Sequence, residues 1–107
     1  MELRIVNNSR LRHVELHVDG EVAGFLTYEL RGNVVSFTEI DTDLRRAGQG
    51  LGVALVRGAL EAARADGLSV LPVSSFVRDF MQRHPVYLEL VPPGERQRFE
   101  LTSVSAA

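Results

Sequence analysis

Three glycines stand at every second position, Gly48, Gly50 and Gly52, and run straight into a long apolar-periodic segment. The period of that segment constrains the fold more than any other feature. Leu51, Leu55, Ala59 and Ala62 recur at helical spacing, with Val56, Leu60 and Ala63 beside them, while Gln49, Arg57, Glu61 and Arg64 take the wet face. The pattern predicts an amphipathic helix over residues 50–65, stopped by Gly67. The glycines remove side chains where a backbone must come close to something, and they leave the first N–H groups of the helix without partners. A helix start carries partial positive charge and free donors, so its natural guest is a phosphate or pyrophosphate. A plain glycine-rich connector is the alternative reading.

Ahead of the loop the period is two. His13 to Val18 alternates, with Val14, Leu16 and Val18 on one face, and Asp19-Gly20 is a hairpin signal. Glu21 to Leu30 reads as the next strand, in which Gly24 marks a bulge or a close approach. After the turn Arg31-Gly32-Asn33, Val34 to Asp41 is rich in β-branched and aromatic residues and reads as a third strand. Glu2 to Val6 adds a short strand before these. Beyond the helix, Leu68 to Val73 reads as a buried strand, interrupted or splayed at Pro72 because proline cannot donate to a ladder. Ser74 or Ser75 caps a second helix, with Phe76, Val77, Phe80 and Met81 as its stripe, ending at about His84 before Pro85. Val86 to Val91 looks like another strand, and Pro92-Pro93-Gly94 breaks the pattern. A last strand is expected around Phe99 to Val104, inside a C-terminal extension over residues 92–107 with a frayed end. The expected class is α/β (α+β): a mostly antiparallel twisted sheet with a central β-α-β unit.

Composition narrows the function classes. At 107 residues the chain has the size of one domain, 1–107. A net charge of −2 makes no electrostatic case for nucleic acid or an anionic membrane. Without cysteine there is no disulfide, thiolate metal site or cysteine nucleophile. The segment Met1 to Asn8 has no apolar signal-peptide core, and no run approaches the roughly 18–20 apolar residues of a membrane span. A cytoplasmic location is the expectation. His13 and His17 share a strand face about 13 Å apart, too far to ligate one metal together, so no metal site is expected.

The loop fits neither common nucleotide motif. Counted from Gly48 and Gly50, the third glycine of the dinucleotide fingerprint would fall at Val53, and no Gly-Lys-Ser/Thr exists. The segment does resemble the acyl-CoA-binding motif of the GNAT superfamily of N-acetyltransferases, Arg/Gln-x-x-Gly-x-Gly/Ala between a strand and a helix. Gly50-Leu51-Gly52 match the glycine pair; Ala47 stands where Arg or Gln is usual, with Arg45 and Arg46 just before it. The order Phe37-Thr38-Glu39-Ile40, loop, helix, Pro72-Val73-Ser74-Ser75-Phe76-Val77 and Arg83-His84-Pro85-Val86-Tyr87 is similar to the very short, single-domain YjdJ-like members. Two positions depart: the family's His is Phe37 and its Cys is Ser74, so a mechanism using that Cys as nucleophile is impossible here.

The resemblance implies a minimal GNAT-like fold with a splayed strand pair, acetyl-CoA (CoA) as cofactor, and transfer of acetyl to an amine of a small molecule or protein by direct attack. It implies that the pantetheine arm lies in the splay, paired to backbone of Glu39, Ile40 and Thr42. The pyrophosphate would be held by N–H groups of Gly48, Gln49, Gly50, Leu51, Gly52 and Val53, with Ala47, Arg45 and Arg46 at the loop's start. Arg45 and Arg46 read otherwise as a plain polar pair. Glu39 is the one well-placed acid, at the end of the strand facing the gap; otherwise it is a surface carboxylate, paired with Arg45. Strict alternation sets Thr38 on the opposite face from Glu39. Ser74 is a donor to the leaving sulfur or simply a helix N-cap. His84 reads as a residue satisfying helix-end carbonyls. Tyr28 and Tyr87 read as half-buried sheet residues, with Tyr87 a proton donor if it points into the cleft. The rival reading, to which Phe37 and Ser74 point, is a CoA-binding module with little or no transferase activity. A structural domain with an empty cleft is a third, against which the glycines argue.

Overall fold

The computed structural model describes residues 1–101. Four strands form an antiparallel meander: β1 (Leu3–Asn8), β2 (His13–Val18), β3 (Glu21–Arg31) and β4 (Val34–Thr42). Helix α1 (Leu51–Ala65) then crosses over to β5 (Ser69–Pro72), which lies parallel to β4 at the sheet edge, and α2 (Ser75–Arg83) follows. The strand order is β1-β2-β3-β4-β5. This is the mixed α/β class expected from the change of period.

The sheet buries one face. Val14, Leu16 and Val18 of β2, Leu26 and Tyr28 of β3, Val35 and Phe37 of β4 and Val70 of β5 pack with Leu55, Val56, Ala59 and Leu60 of α1 and Val77, Phe80 and Met81 of α2 in one core. Leu55 and Leu60 have no exposed surface, so truncating either to alanine costs about 2–5 kcal/mol. On the other face His13 stacks on Phe25 at 4.2 Å, and His17 Nε2 lies 3.0 Å from a Glu15 oxygen. These two histidines are half-buried and partnered rather than merely solvated. The Glu15 carboxyl is held below its ordinary range, first by the hydrogen bond to His17 and then by that from Asn8.

Gly24 marks a close approach: a Cβ there would lie 2.8 Å from the Asp41 carbonyl oxygen. One expected strand is a helix instead, and the described part of another is a turn. Val86 to Val91 is a 3-10 helix over Pro85–Leu90, because Pro85 pre-sets the first turn and Tyr87, Leu88 and Val91, spaced for a helix, are the buried residues. From Phe99 to Leu101 the chain turns, with Phe99 N–H donating to Glu95 and Leu101 N–H to Arg96. The rest of that expected strand lies outside the described residues. No helix among them is long and apolar enough to cross a membrane.

Candidate functional site

The site is built where β4 loses its second neighbour. β5 pairs only with the first part of β4, from Val34↔Ser69 to Phe37↔Pro72. Pro72 ends that ladder, and the last link is Ser74 N–H donating to the Phe37 carbonyl at 2.8 Å. Beyond it, Glu39 to Thr42 are paired with β3 alone. This is the splay expected at Pro72.

An extra residue decides which groups face the open side. The β3–β4 register shifts between Thr27 and Tyr28: Phe37 opposes Tyr28, Glu39 opposes Thr27, and Thr38 is inserted. Thr38 Oγ1 donates to the Thr27 carbonyl. Further on, Asp43 N–H donates to the Ala23 carbonyl at 2.7 Å. Counting back by the alternation of an antiparallel pair, Glu39 and Asp41 turn their main-chain groups to β3. Ile40 and Thr42 turn theirs to the open edge. The bulge thus changes the phase of the strand at the splay. Two expectations need correction. Simple alternation does not hold across Thr38 and Glu39, and the backbone of Glu39 faces β3 rather than the gap. The Glu39 side chain is exposed, within β4 rather than at its end, and carries no hydrogen bond or ion pair among the described residues.

After β4 the chain makes a 3-10 turn, Leu44–Arg46, capped by Asp43. The Asp43 carboxylate accepts from Arg45 Nε and Nη2 at 3.1 and 3.0 Å and from Arg45 N–H at 3.0 Å; Arg46 Nε lies 3.8 Å away. The Arg45 side chain, and then its N–H, hold the Asp43 carboxyl below its ordinary range. Arg45 therefore pairs with Asp43 and not with Glu39. Asp43 went unremarked in the sequence, although an acid just before a helical turn is a cap signal.

Gly48 and Gly50 have φ of 84° and 70°, left-handed values that glycine adopts without strain, and a Cβ on either would meet nothing within 4 Å. Gly50 is the N-cap of α1 and has no side chain to give. The N–H groups of Gly48 to Val53 have no acceptor among the described residues; the helix ladder begins with Ala54 N–H to the Gly50 carbonyl. This is a row of free donors at a helix start with open space before it, which fits a pyrophosphate. Gly52 has another cause: a Cβ there would lie 2.9 Å from the Phe76 ring of α2. The third glycine is a packing residue, a reason invisible until α1 and α2 are brought together.

From the first turn of α1, a groove between α1 and α2 holds a cavity of about 140 Å³ lined by Val53, Phe76, Asp79, Phe80, Arg83 and His84. The His84 ring packs on Phe80 at 4.3 Å, and the helix-end carbonyls of Phe80 and Met81 are met by its backbone N–H instead. Ser74 is buried and is the N-cap of α2, its Oγ accepting from Val77 N–H at 3.4 Å. Tyr28 and Tyr87 are both buried. Tyr28 donates to Asn7 at 2.7 Å, and Tyr87 donates to Glu61 of α1 at 2.6 Å. That bond raises the Tyr87 hydroxyl above its ordinary range, with burial adding to it. Among the described residues no group of histidines and carboxylates could hold a metal ion.

The family model described as GCN5-related N-acetyl-transferase matches residues 13–90. Among solved structures, the chain is similar to the ribosomal-protein-S18-alanine N-acetyltransferase from Escherichia coli, with a TM-score of 0.51 and 19% identity over 73% of this chain and 50% of that one. It is similar to the IAA acetyltransferase from Bacillus cereus, with a TM-score of 0.51 and 20% identity over 78% of this chain and 74% of that one. At these identities the likeness is one of fold. The chain thus spans half the length of the Escherichia coli enzyme. No protein of curated function matches it in sequence.

Proposed function

Since the chain belongs to the GCN5-related N-acetyl-transferase family, we propose that it is an acyl-CoA-dependent N-acetyltransferase acting on an amine of a small molecule or protein. Its motif order favours the YjdJ-like branch, working in the cytoplasm. The observation that carries the reading is the row of free donors from Gly48 to Val53 lying next in the chain to a strand half paired on one side only. One run meets an anion; the other meets an extended arm that pairs as a strand does. Bound acetyl-CoA supplies a thioester open to attack by an amine.

The residues then divide the work. N–H groups of Gly48 to Val53 hold the pyrophosphate. Ile40 and Thr42 pair with the pantetheine arm through outward main-chain groups. Arg45 and Arg46 add positive charge at the loop's start, tempered by Asp43. Glu39, exposed and free, takes the proton of the acceptor ammonium directly or through one water, because only the neutral amine attacks. Ser74 is nearest in role to the proton donor for the departing sulfur; its oxygen accepts the cap bond and leaves the O–H as a donor, yet the residue is buried. That last point favours a second reading, a CoA-binding module with little transferase activity.

A thermal shift with acetyl-CoA, CoA and ATP in parallel tests the cofactor. A ligand at a hundred times its Kd adds about 2.7 kcal/mol, which is a rise of several degrees for a domain this size. A rise with both CoA species and not with ATP supports the reading; none with millimolar CoA overturns it. Glu39→Gln then separates the two readings. Lost acetyl transfer with unchanged CoA affinity supports the transferase, and no transfer to any amine in the unaltered protein supports the module.

A further inference from the structure

β1 is the free edge of the sheet, opposite the edge that carries the candidate site. Soluble proteins guard such edges with proline, bulges, covering loops or charged side chains. Among the described residues β1 has only the last, the exposed Arg4 and, just ahead of the strand, Glu2. It holds no proline, its register with β2 is unbroken over six pairs, and no main chain among the described residues bonds to its outer side. The phase is set by Asp19 N–H donating to the Glu2 carbonyl. Glu2, Arg4 and Val6 therefore turn their main-chain groups to β2, while Leu3, Ile5 and Asn7 turn theirs outward.

The side chains are patterned as well. Ile5 packs toward Gly58, where a Cβ on the glycine would lie 2.5 Å from Ile5 Cγ1, so the odd positions lie on the α1 side. Leu3 and Ile5 are nevertheless 42% and 38% exposed, and Met1, next in the same alternation, is 72% exposed. On the other side of the strand Glu2 and Arg4 alternate with them, both exposed. The run Met1-Glu2-Leu3-Arg4-Ile5 is thus complementary to its own reverse.

We infer that β1 pairs antiparallel with β1 of a second copy of this chain, about a two-fold axis at Leu3. Leu3 meets Leu3, Glu2 meets Arg4 twice, and Met1 meets Ile5 twice. Apolar residues face apolar residues on one side, and opposite charges face each other on the other. Main-chain groups of Leu3 and Ile5 gain partners. Centring the pair on Ile5 instead would set Arg4 against Val6 and Glu2 against Asn8, leaving both charges unmatched. The chosen register also brings Met1 of the second copy beside Ile5. Ile5 lines an apolar cavity of about 240 Å³ with Leu30, Ala59 and Ala62, and a long, unbranched methionine suits an irregular gap. The two five-stranded sheets join into one, and both candidate sites stay open at its outer edges.

Edge pairing of this kind is at the small end of specific interfaces, so the untagged chain is followed by sedimentation equilibrium from about 5 to about 500 µM. A monomer–dimer equilibrium is expected. Glu2→Arg and Arg4→Glu, each at an exposed position, should both give monomers with unchanged melting temperature. Mixed in equal amounts they should dimerise again, because one chain then carries arginine at both positions and the other glutamate at both. Leu3→Cys should oxidise to a covalent dimer, the chain having no other cysteine. A monomer at every concentration, a dimer indifferent to both charge reversals, or a mixture that stays monomeric overturns the inference. None of these outcomes depends on CoA binding.

Discussion

The two halves of β4 differ in what their backbone is given to do. From Val34 to Phe37 the strand lies between β3 and β5, paired on both sides. From Glu39 to Thr42 it has β3 alone, and the loop after it leaves a run of N–H groups without acceptors. Buried main-chain donors are nearly always satisfied within a fold, so the closed half is structure. The open half keeps its donors and acceptors available at the surface, where a ligand can use them without first breaking a ladder. Thr38, a single inserted residue, divides the two.

The largest expected effect tests the closed half. Phe37 is almost wholly buried between the sheet and the helices. Phe37→Ala should cost about 3–5 kcal/mol in urea unfolding and lower the melting point by more than about 10 °C. A loss below about 1 kcal/mol would show that this half is not the core it is taken for.

The next effect sets two glycines against each other. Gly50→Val fills the open space before the free N–H row and strains a left-handed position by about 1–2 kcal/mol. It should weaken acetyl-CoA binding, measured by calorimetry, by about 100-fold or more, the equivalent of about 2.7 kcal/mol. Gly52→Ala pushes on Phe76 instead. It should lower stability by about 1–3 kcal/mol and leave the affinity of the folded protein within about threefold. The reverse result would mean that the missing side chain of Gly52, and not only its N–H, serves the ligand.

The smallest effect concerns Asp43. Its carboxyl titrates below the ordinary value because Arg45 holds it. Depression of a carboxyl pKa on folding means that the clasp stabilises fully above the unfolded value of 3.8 and is lost as pH falls through the lowered folded value. Asp43→Asn should therefore lower the melting temperature slightly at pH 7, and the difference should vanish as the pH falls below about 4, which flattens the acid limb of the profile. It should also tighten CoA binding about threefold at low salt, by removing a negative charge near the loop. Weaker binding would mean that Asp43 is needed to aim Arg45.

The elements that were legible in the sequence are those with a strong period or a strong stop. The meander, α1, and α2 with its Ser74 cap follow from alternation, helical spacing and capping chemistry, within a residue or two of their bounds. The segment Val86 to Val91 misled because a short apolar run has no period of its own. Pro85 and the contacts of Tyr87 with Phe80 and Glu61 made it helical. In the candidate site, the loop Gly48 to Val53 was legible because left-handed turns and bare helix starts demand glycine. The bulge at Thr38 was not, since the residue inserted against β3 is chosen by register across two strands.

Local rules, then, determined the kinds of elements, the bare helix start and the half-pairing that Pro72 enforces on β5. They act over a few residues, and the chain carries them wherever it goes. Tertiary structure alone decided that Ile40 and Thr42 rather than Glu39 turn to the open edge, that Arg45 answers to Asp43, that Phe76 is the reason for Gly52, and that Ser74 is closed in by its own helix. Each of these depends on which surfaces meet. Packing brings together residues that sequence spacing leaves far apart, and it sets the phase of a strand by what lies beside it.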